Sequence, residues 1–419
     1  MSKESSAMRS SAHRPAWLAV LCCGGFLLAA AALAHGTKGQ QTAASAPALH
    51  FAHGGNAAEI PMELAGNAVF VPVQCNQGRP SSWLLDSGSP GTVVSGAAAS
   101  QAITGDDRPS PVLSLPGVGI HGLQPAVHSL QALGPWYGQR VNGVIGDDVL
   151  AHLVVELDYA RRSIELYEPA AYHEARHFKK LGVHWIDGLP TVRAKLRLAG
   201  RAVTGNFVLN TGASGGILVS SAFLEANRMY PFAGKTISGS IVAASGEREV
   251  LLARGEWLEL GSWQVTQPIV AIEQSRATPA AEENGEERKE QLKGIAGWIG
   301  GQILRKFRLV LDFPSRRILL LPNSTFIFPI EANASGATII AAGPSLDQYE
   351  VRRIASGSPA AVARLLPGDR ITVIDSEPTS QLTLSQVRRM LSRSGHTVVL
   401  GVERLGHHVR IVLHLRRRL

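Results

Sequence analysis

The sequence predicts a mainly β protein in which one β-rich unit occurs twice and a small α+β domain follows. Three observations carry this. Residues 142–166 ("NGVIGDDVLAHLVVELDYARRSIEL") match residues 296–320 ("AGWIGGQILRKFRLVLDFPSRRILL") without gaps. Upstream of each copy lies a stretch of one outline, "SSWLLDSGSPGTVVS" at 81–95 and "NFVLNTGASGGILVS" at 206–220. From about residue 335 the pattern changes to strand, short helix, strand, amphipathic helix and two alternating strands.

The bulk properties agree. A chain of 419 residues is too long for one ordinary domain. Hydrophobic residues make up 45% and charged residues 18%, which excludes a disordered or fibrous chain, and 43 Gly with 23 Pro favour strands and turns. The formal net charge of +8 is scattered, with no Lys/Arg run beyond "LRRRL", so nucleic acid is not an expected partner.

At the N-terminus, Lys3, Arg9 and Arg14 precede an uncharged run at 16–34 that ends in Ala32-Leu33-Ala34. Residues 1–34 therefore read as a signal peptide or an N-terminal membrane anchor. The expected location is exported, periplasmic or attached to the outer face of the inner membrane. A polar linker spans 35–56. Cys22 and Cys23 lie in the apolar run, so Cys75 alone remains after cleavage and no internal disulfide is expected.

The first unit, 57–170, reads as short strands: "NAVFVPVQC", "SWLLDSG", "LVVELDYA" and "SIELYEP", with "DDVLAHL" as one or two helical turns. The second, 171–325, repeats the order through "LPTVRAKLRL", "RAVTGNFVLNTG" and "SGSIVAAS", with "GQILRKF" as its helical turn. Its extra "EQSRATPAAEENGEERKEQLKG" reads as an exposed loop or a short charged helix. In the last domain, 335–419, Leu384, Val387, Met390 and Leu391 form a helical apolar stripe.

The chemistry centres on Asp86-Ser87-Gly88. The apolar Trp83-Leu84-Leu85 delivers Asp86 to a strand end, Ser87 can bond nearby backbone, and Gly88 lets the turn close. Asn210-Thr211-Gly212 repeats the design with the acid replaced. Brought face to face, two such turns put residues 86 and 210 side by side at the floor of a cleft. Two carboxyls there would share a proton, one activating water and the other donating to a substrate carbonyl.

These residues resemble those of the aspartic proteases, more the retropepsin-like form of exported bacterial aspartyl proteases than the large pepsins. The resemblance spans most of 57–325 and implies two retropepsin-like lobes in an aspartic-protease-like bilobal fold. "GVIG" and "GWIG" look like the family's apolar-Gly segments behind each active-site loop. Position by position, Asp86 would be the catalytic aspartate, Ser87 its orienting hydroxyl and Gly88 the turn glycine, with Asn210, Thr211 and Gly212 in the matching place. The family's cleft-covering flaps would fall at residues 115–123 and 240–249, unless these are ordinary hairpins. Asp158 and Asp312 fall where the family has a structural turn.

The implied function is aspartic-type peptide-bond hydrolysis at roughly pH 4–7 on exported polypeptides. Asn210 departs from the pattern, because it fits the space of Asp but cannot ionise. Three readings stay open: a homodimer pairing two Asp86 loops, slow hydrolysis within one chain, or a catalytically impaired pseudoprotease acting as a peptide-binding, regulatory module. The 14 His show no metal-ligand spacing, "GASGG" lacks the Lys-Ser/Thr of a phosphate loop, and no cofactor or metal is expected.

The C-terminal "SGSPAAVARLLPGDRITVID" resembles a PDZ domain, with Arg364 where a Gly is usual. The resemblance implies polypeptide substrates or peptide C-termini as partners, taken by strand addition. The capturing loop would lie in 343–348 or in the preceding "ATIIAAG", with "SQVRRMLSRS" lining the groove. A domain that only packs on the lobes is the alternative.

Overall fold

The structure, a computed structural model, describes residues 25–27, 46–96, 111–243, 246–274 and 293–419. The molecule is mainly β, with two larger sheets and a separate C-terminal one. Most of the apolar run at 16–34 and of the charged insertion after Glu273 lies outside the described residues. Within that run, the backbone of Gly25–Leu27 pairs in parallel with residues 240–242. Among the described residues no helix is long and apolar enough to cross a membrane.

The two units share a pairing scheme. In the first, Ser81–Leu85 pairs antiparallel with Ala68–Cys75 and parallel with Gly143–Ile145, which also runs antiparallel to Val93–Ser95. In the second, Arg201–Asn210, Leu189–Leu198, Ile295–Gly300 and Ile217–Val219 take the same relations. Leu85 stands beside Ile145, and Leu209 stands beside Ile299. Period-two alternation sorts each strand's side chains. Val69, Val71 and Val73 enter the main core, while Ala68 and Phe70 turn to a second apolar layer with Leu84, Trp136 and Tyr137.

A six-stranded antiparallel segment joins the units. The hairpins Val154–Asp158/Ser163–Tyr167 and Phe307–Asp312/Arg317–Pro322 meet strand to strand, flanked by Ala57–Pro61 and Lys179–Ile186. Val154 pairs with Asp312, Glu156 with Val310 and Asp158 with Arg308. The sequence repeat equates 156 with 310, so the register is symmetric about that pair. The pairs Val154–Asp312 and Asp158–Arg308 are thus exchanged by a local two-fold through Glu156 and Val310. Asp158 accepts the amides of Ala160 and Arg161, and Asp312 accepts the Ser315 amide and pairs with Arg317. Both acids therefore close turns.

Two sequence expectations differ from what is observed. Ala48–Phe51, inside the linker expected over 35–56, is a strand paired with Val118–His121. That pairing belongs to the hairpin Leu113–Leu115/Val118–His121. Leu115, Val118, Ile120 and Leu123 are buried in the main core, and Gly117 lies against Ala58. Alternating apolar residues drive this hairpin inward, so residues 115–123 pack into the lobe rather than covering the Asp86 loop.

The C-terminal sheet runs from Ala337–Ala342 through Gln348–Ile354, Arg370–Ile374 and Thr397–Arg404 to His407–His414. The helix Leu384–Met390 starts at a capping box of Thr383 and Gln386, and it buries Leu384, Val387 and the adjoining Leu391 in the domain core. Arg364 has φ of 59°, which explains why a glycine is usual at that position.

Candidate active site

The two loops interlock. Ser87 Oγ donates to the Leu209 carbonyl at 2.6 Å and accepts the Thr211 amide at 3.2 Å. Reciprocally, Thr211 Oγ1 donates to the Leu85 carbonyl at 2.6 Å and accepts the Ser87 amide at 3.1 Å. All four groups are buried, so each bond replaces one that water would have made. Losing a hydroxyl would leave two backbone groups stranded, at a cost of ~1–3 kcal/mol each.

The lock sets residues 86 and 210 side by side. A Cβ on Gly88 would fall 2.5 Å from Asn210 Nδ2, and one on Gly212 would fall 2.6 Å from Asp86 Cγ. Each side chain therefore lies over the other loop's glycine, and no larger residue fits at either place. Behind the loops, a Cβ on Gly146 would meet the Gly91 carbonyl at 2.3 Å, and one on Gly300 the Gly215 carbonyl at 2.6 Å. The apolar-Gly segments thus press backbone against backbone.

The polar partners are asymmetric in charge but alike in form. Asp86 Oδ1 accepts the Gly88 amide at 2.8 Å, and Asn210 Oδ1 accepts the Ala213 amide at 2.7 Å. The Ala213 N–H fixes which end of the Asn210 amide is oxygen. Asp86 Oδ2 and Asn210 Nδ2 are left buried with no partner. Burial raises the Asp86 pKa from 3.8 to about 7, against the opposing pull of the Gly88 amide. A charged twin is not needed for that rise.

Sequence reasoning missed three supporting residues. Tyr137, in the helical turn Gly134–Tyr137, donates its hydroxyl to the Gly212 carbonyl at 2.7 Å, and burial together with the nearby Asp86 raises its pKa. The aromatic pair inside "GPWYG" was its only signal. Asp148 accepts the Thr92 amide at 2.9 Å and the Thr92 hydroxyl at 2.7 Å, bracing the Asp86 loop from behind. Asp147 is buried beside the Trp185 indole, and burial pushes its pKa to about 7. Both acids follow "GVIG", where the second copy has Gly301 and Gln302.

The expected open cleft is not seen above the loops. Asp86, Ser87, Asn210 and Thr211 are each 0% exposed. Tyr137, beside Asp86 and bonded to Gly212, packs in one apolar layer with Phe70, Leu84 and Val242, the last from the hairpin Ile237–Ala243/Gly246–Arg254. The second expected flap, at 240–249, thus reaches this layer. A cavity of about 570 Å³ lies elsewhere, between the lobes and the C-terminal domain, lined by Asn67, Ser214, Arg305, Arg388 and Arg389. Among the described residues no cluster of three or more His, Cys, Asp or Glu side chains can hold a metal ion.

Comparison with known proteins bears on the two parts differently. Residues 350–404 match the family model described as PDZ domain, and the C-terminal domain is a PDZ domain. A search of curated proteins returns no match. Among solved structures, the aspartic proteinase from Irpex lacteus is similar over 65% of this chain and 99% of that one, at 12% identity and a TM-score of 0.39.

Proposed function

We propose that the Asp86 site is an aspartic-type hydrolytic centre for peptide bonds, of retropepsin-like descent, acting on exported polypeptides. The observation that carries this reading is the pair of buried, unpartnered atoms, Asp86 Oδ2 and Asn210 Nδ2, held side by side by interlocked loops. An acceptor and a donor without partners are what a water molecule and a substrate carbonyl would use. In the proposed step the Asp86 carboxylate takes a proton from water as its oxygen attacks the carbonyl carbon. Asn210 Nδ2 donates to the oxygen on which charge develops. Protonated Asp86 then passes the proton to the leaving nitrogen as the C–N bond breaks.

Covered, Asp86 titrates near 7 because it is desolvated; once water and substrate reach it, that cause is removed and it ionises at lower pH to act as the base. Within one chain, Thr211 already holds the face of Ser87 that a second chain's loop would need, so the reading is one site per chain. Residues 1–34 would direct export or tether the chain, and the PDZ domain would present substrate tails.

The test is cleavage of a mixed peptide library by the mature protein and by Asp86→Asn. Cleavage that disappears in the variant supports the reading, and equal cleavage by both removes Asp86 from it. A second reading, peptide binding without cutting, is favoured by Asn210 standing where a second acid would be needed. Library binding without cleavage, unchanged in Asn210→Asp, would select it.

A further inference from the structure

The C-terminal domain docks on the lobes through the very parts that would receive a peptide. A PDZ domain takes an extended peptide as an added strand on an open sheet edge. Here the edge beside the helix Leu384–Met390 is the strand Ala337–Ala342, whose sheet partner is Gln348–Ile354 on its other side. That edge is already engaged. Arg388 donates Nε and Nη2 to the Ile339 carbonyl at 3.1 and 2.6 Å, and Nη1 to the Trp136 carbonyl at 2.8 Å. One guanidinium therefore ties strand, helix and first lobe together.

The surrounding contacts agree. The turn Gly134–Tyr137 lies against the strand, and Ile340 joins the apolar layer of Phe70, Leu84, Tyr137 and Val242. The Gly66 amide donates to Ser385 Oγ at 2.7 Å. Gly138, at φ 75°, approaches Leu384 so closely that a Cβ there would lie 2.8 Å from the Leu384 Cβ. At the start of the strand, the amides of Ala334 and Ser335 are already given to the Leu391 carbonyl. On the far side, Arg353 pairs with Glu247 of the hairpin that supplies Val242.

The same turn reaches the candidate active site, since Tyr137 is both part of the docked surface and the donor to Gly212. We propose that the turn Gly134–Tyr137 is an internal occupant of the PDZ peptide edge, displaced by a polypeptide bearing a free C-terminal carboxylate, and that its displacement draws Tyr137 off Gly212 and uncovers Asp86. Docking and peptide compete for one edge, so each weakens the other by the same factor. The proposal concerns access to Asp86, and it rests on the hydrolytic reading only for what happens once access is gained.

The test uses the full chain with a fluorescein-labelled peptide pool carrying free C-terminal carboxylates, and with the same pool amidated. Gly138→Leu pushes a side chain into Leu384. Arg353→Glu, on the strand Gln348–Ile354, breaks the pair with Glu247 and guards against misfolding of the first variant. Both variants should bind the carboxylate pool about tenfold more tightly than wild type, and the amidated pool should bind none of the three. In wild type, the carboxylate pool should speed amide hydrogen exchange at 134–138 and at Gly212. Equal affinity in all three proteins, binding in none, equal binding of the amidated pool, or exchange unchanged at Tyr137 and Gly212 would each overturn the proposal. Exchange that rises while no peptide is cut would remove the hydrolytic reading alone.

Discussion

Replacing Asp86 by Asn changes how stability depends on pH, and the size of the change follows from burial. The carboxyl is 0% exposed, and its pKa rises from 3.8 to about 7 on folding. At ~1.4 kcal/mol per pH unit, ionisation in the folded chain costs about 4 kcal/mol more than in the unfolded one. Because the folded value is raised, the folded chain keeps its proton longer. The associated stability is full below the unfolded value and is lost as pH climbs through 7. Between pH 5 and pH 8, wild type should lose roughly 2–3 kcal/mol that Asp86→Asn does not lose. Asp147 titrates near the same pH with the same sign, so the comparison is between the two proteins rather than within one. The variant can keep the Gly88 bond, and any cost of two facing amides is independent of pH. Urea unfolding followed by tryptophan fluorescence isolates the lobes, since residues 335–419 contain no Trp and Trp83 is fully buried in the first lobe. A stability gap that stays constant across this pH range would refute the argument that Asp86 is desolvated.

Other outcomes follow from the same geometry. Asn210→Asp places a second acid beside Asp86; library cleavage should rise at least ~10²-fold over the pH range in which the pair shares one proton. Ser87→Ala and Thr211→Ala should each lower stability by ~2–6 kcal/mol, two stranded backbone groups apiece, with strong non-additivity in the double variant because each hydroxyl serves the other's backbone. Tyr137→Phe leaves the buried Gly212 carbonyl without its donor and should lower stability by ~1–3 kcal/mol in urea unfolding. Arg364→Gly relieves a left-handed backbone in the PDZ domain and should raise its stability by up to ~1 kcal/mol, read as a shift in its unfolding midpoint by circular dichroism.

Much of the fold was legible because it is repeated. The gapless match of 142–166 with 296–320 pointed to a local symmetry, and the register centred on Glu156 and Val310 is its structural form. The turn roles of Asp158 and Asp312 were expected from the family resemblance rather than from the repeat, and both acids do accept the amides of turns. What escaped the sequence depends on contacts between distant segments. Tyr137 sits in an unrepeated turn, and its hydroxyl finds Gly212, 75 residues away. The segment at 115–123 looked equally suited to a flap or an ordinary surface hairpin, and it packs into the core instead. Its fate was decided by Ala48–Phe51 and Ala58, segments that composition marked as linker or lobe edge.

The covering of Asp86 and the presence of Asn210 rather than a second acid have a common physical consequence. In a paired site, repulsion between two carboxyls keeps one proton bound, and the site can stay open to water while doing so. With Asn210 in place that repulsion is gone, and an exposed Asp86 would fall back toward an ordinary carboxylate value. Burial under Tyr137 supplies the rise instead, to about 7. The asymmetry therefore ties protonation to closure. Closed, Asp86 holds its proton near neutrality; uncovered and hydrated, it releases one. Asn210 fills the structural place opposite Asp86, its oxygen capping Ala213 and its amide lying over Gly88. It cannot ionise, which makes the single acid sensitive to whatever lifts the turn Gly134–Tyr137.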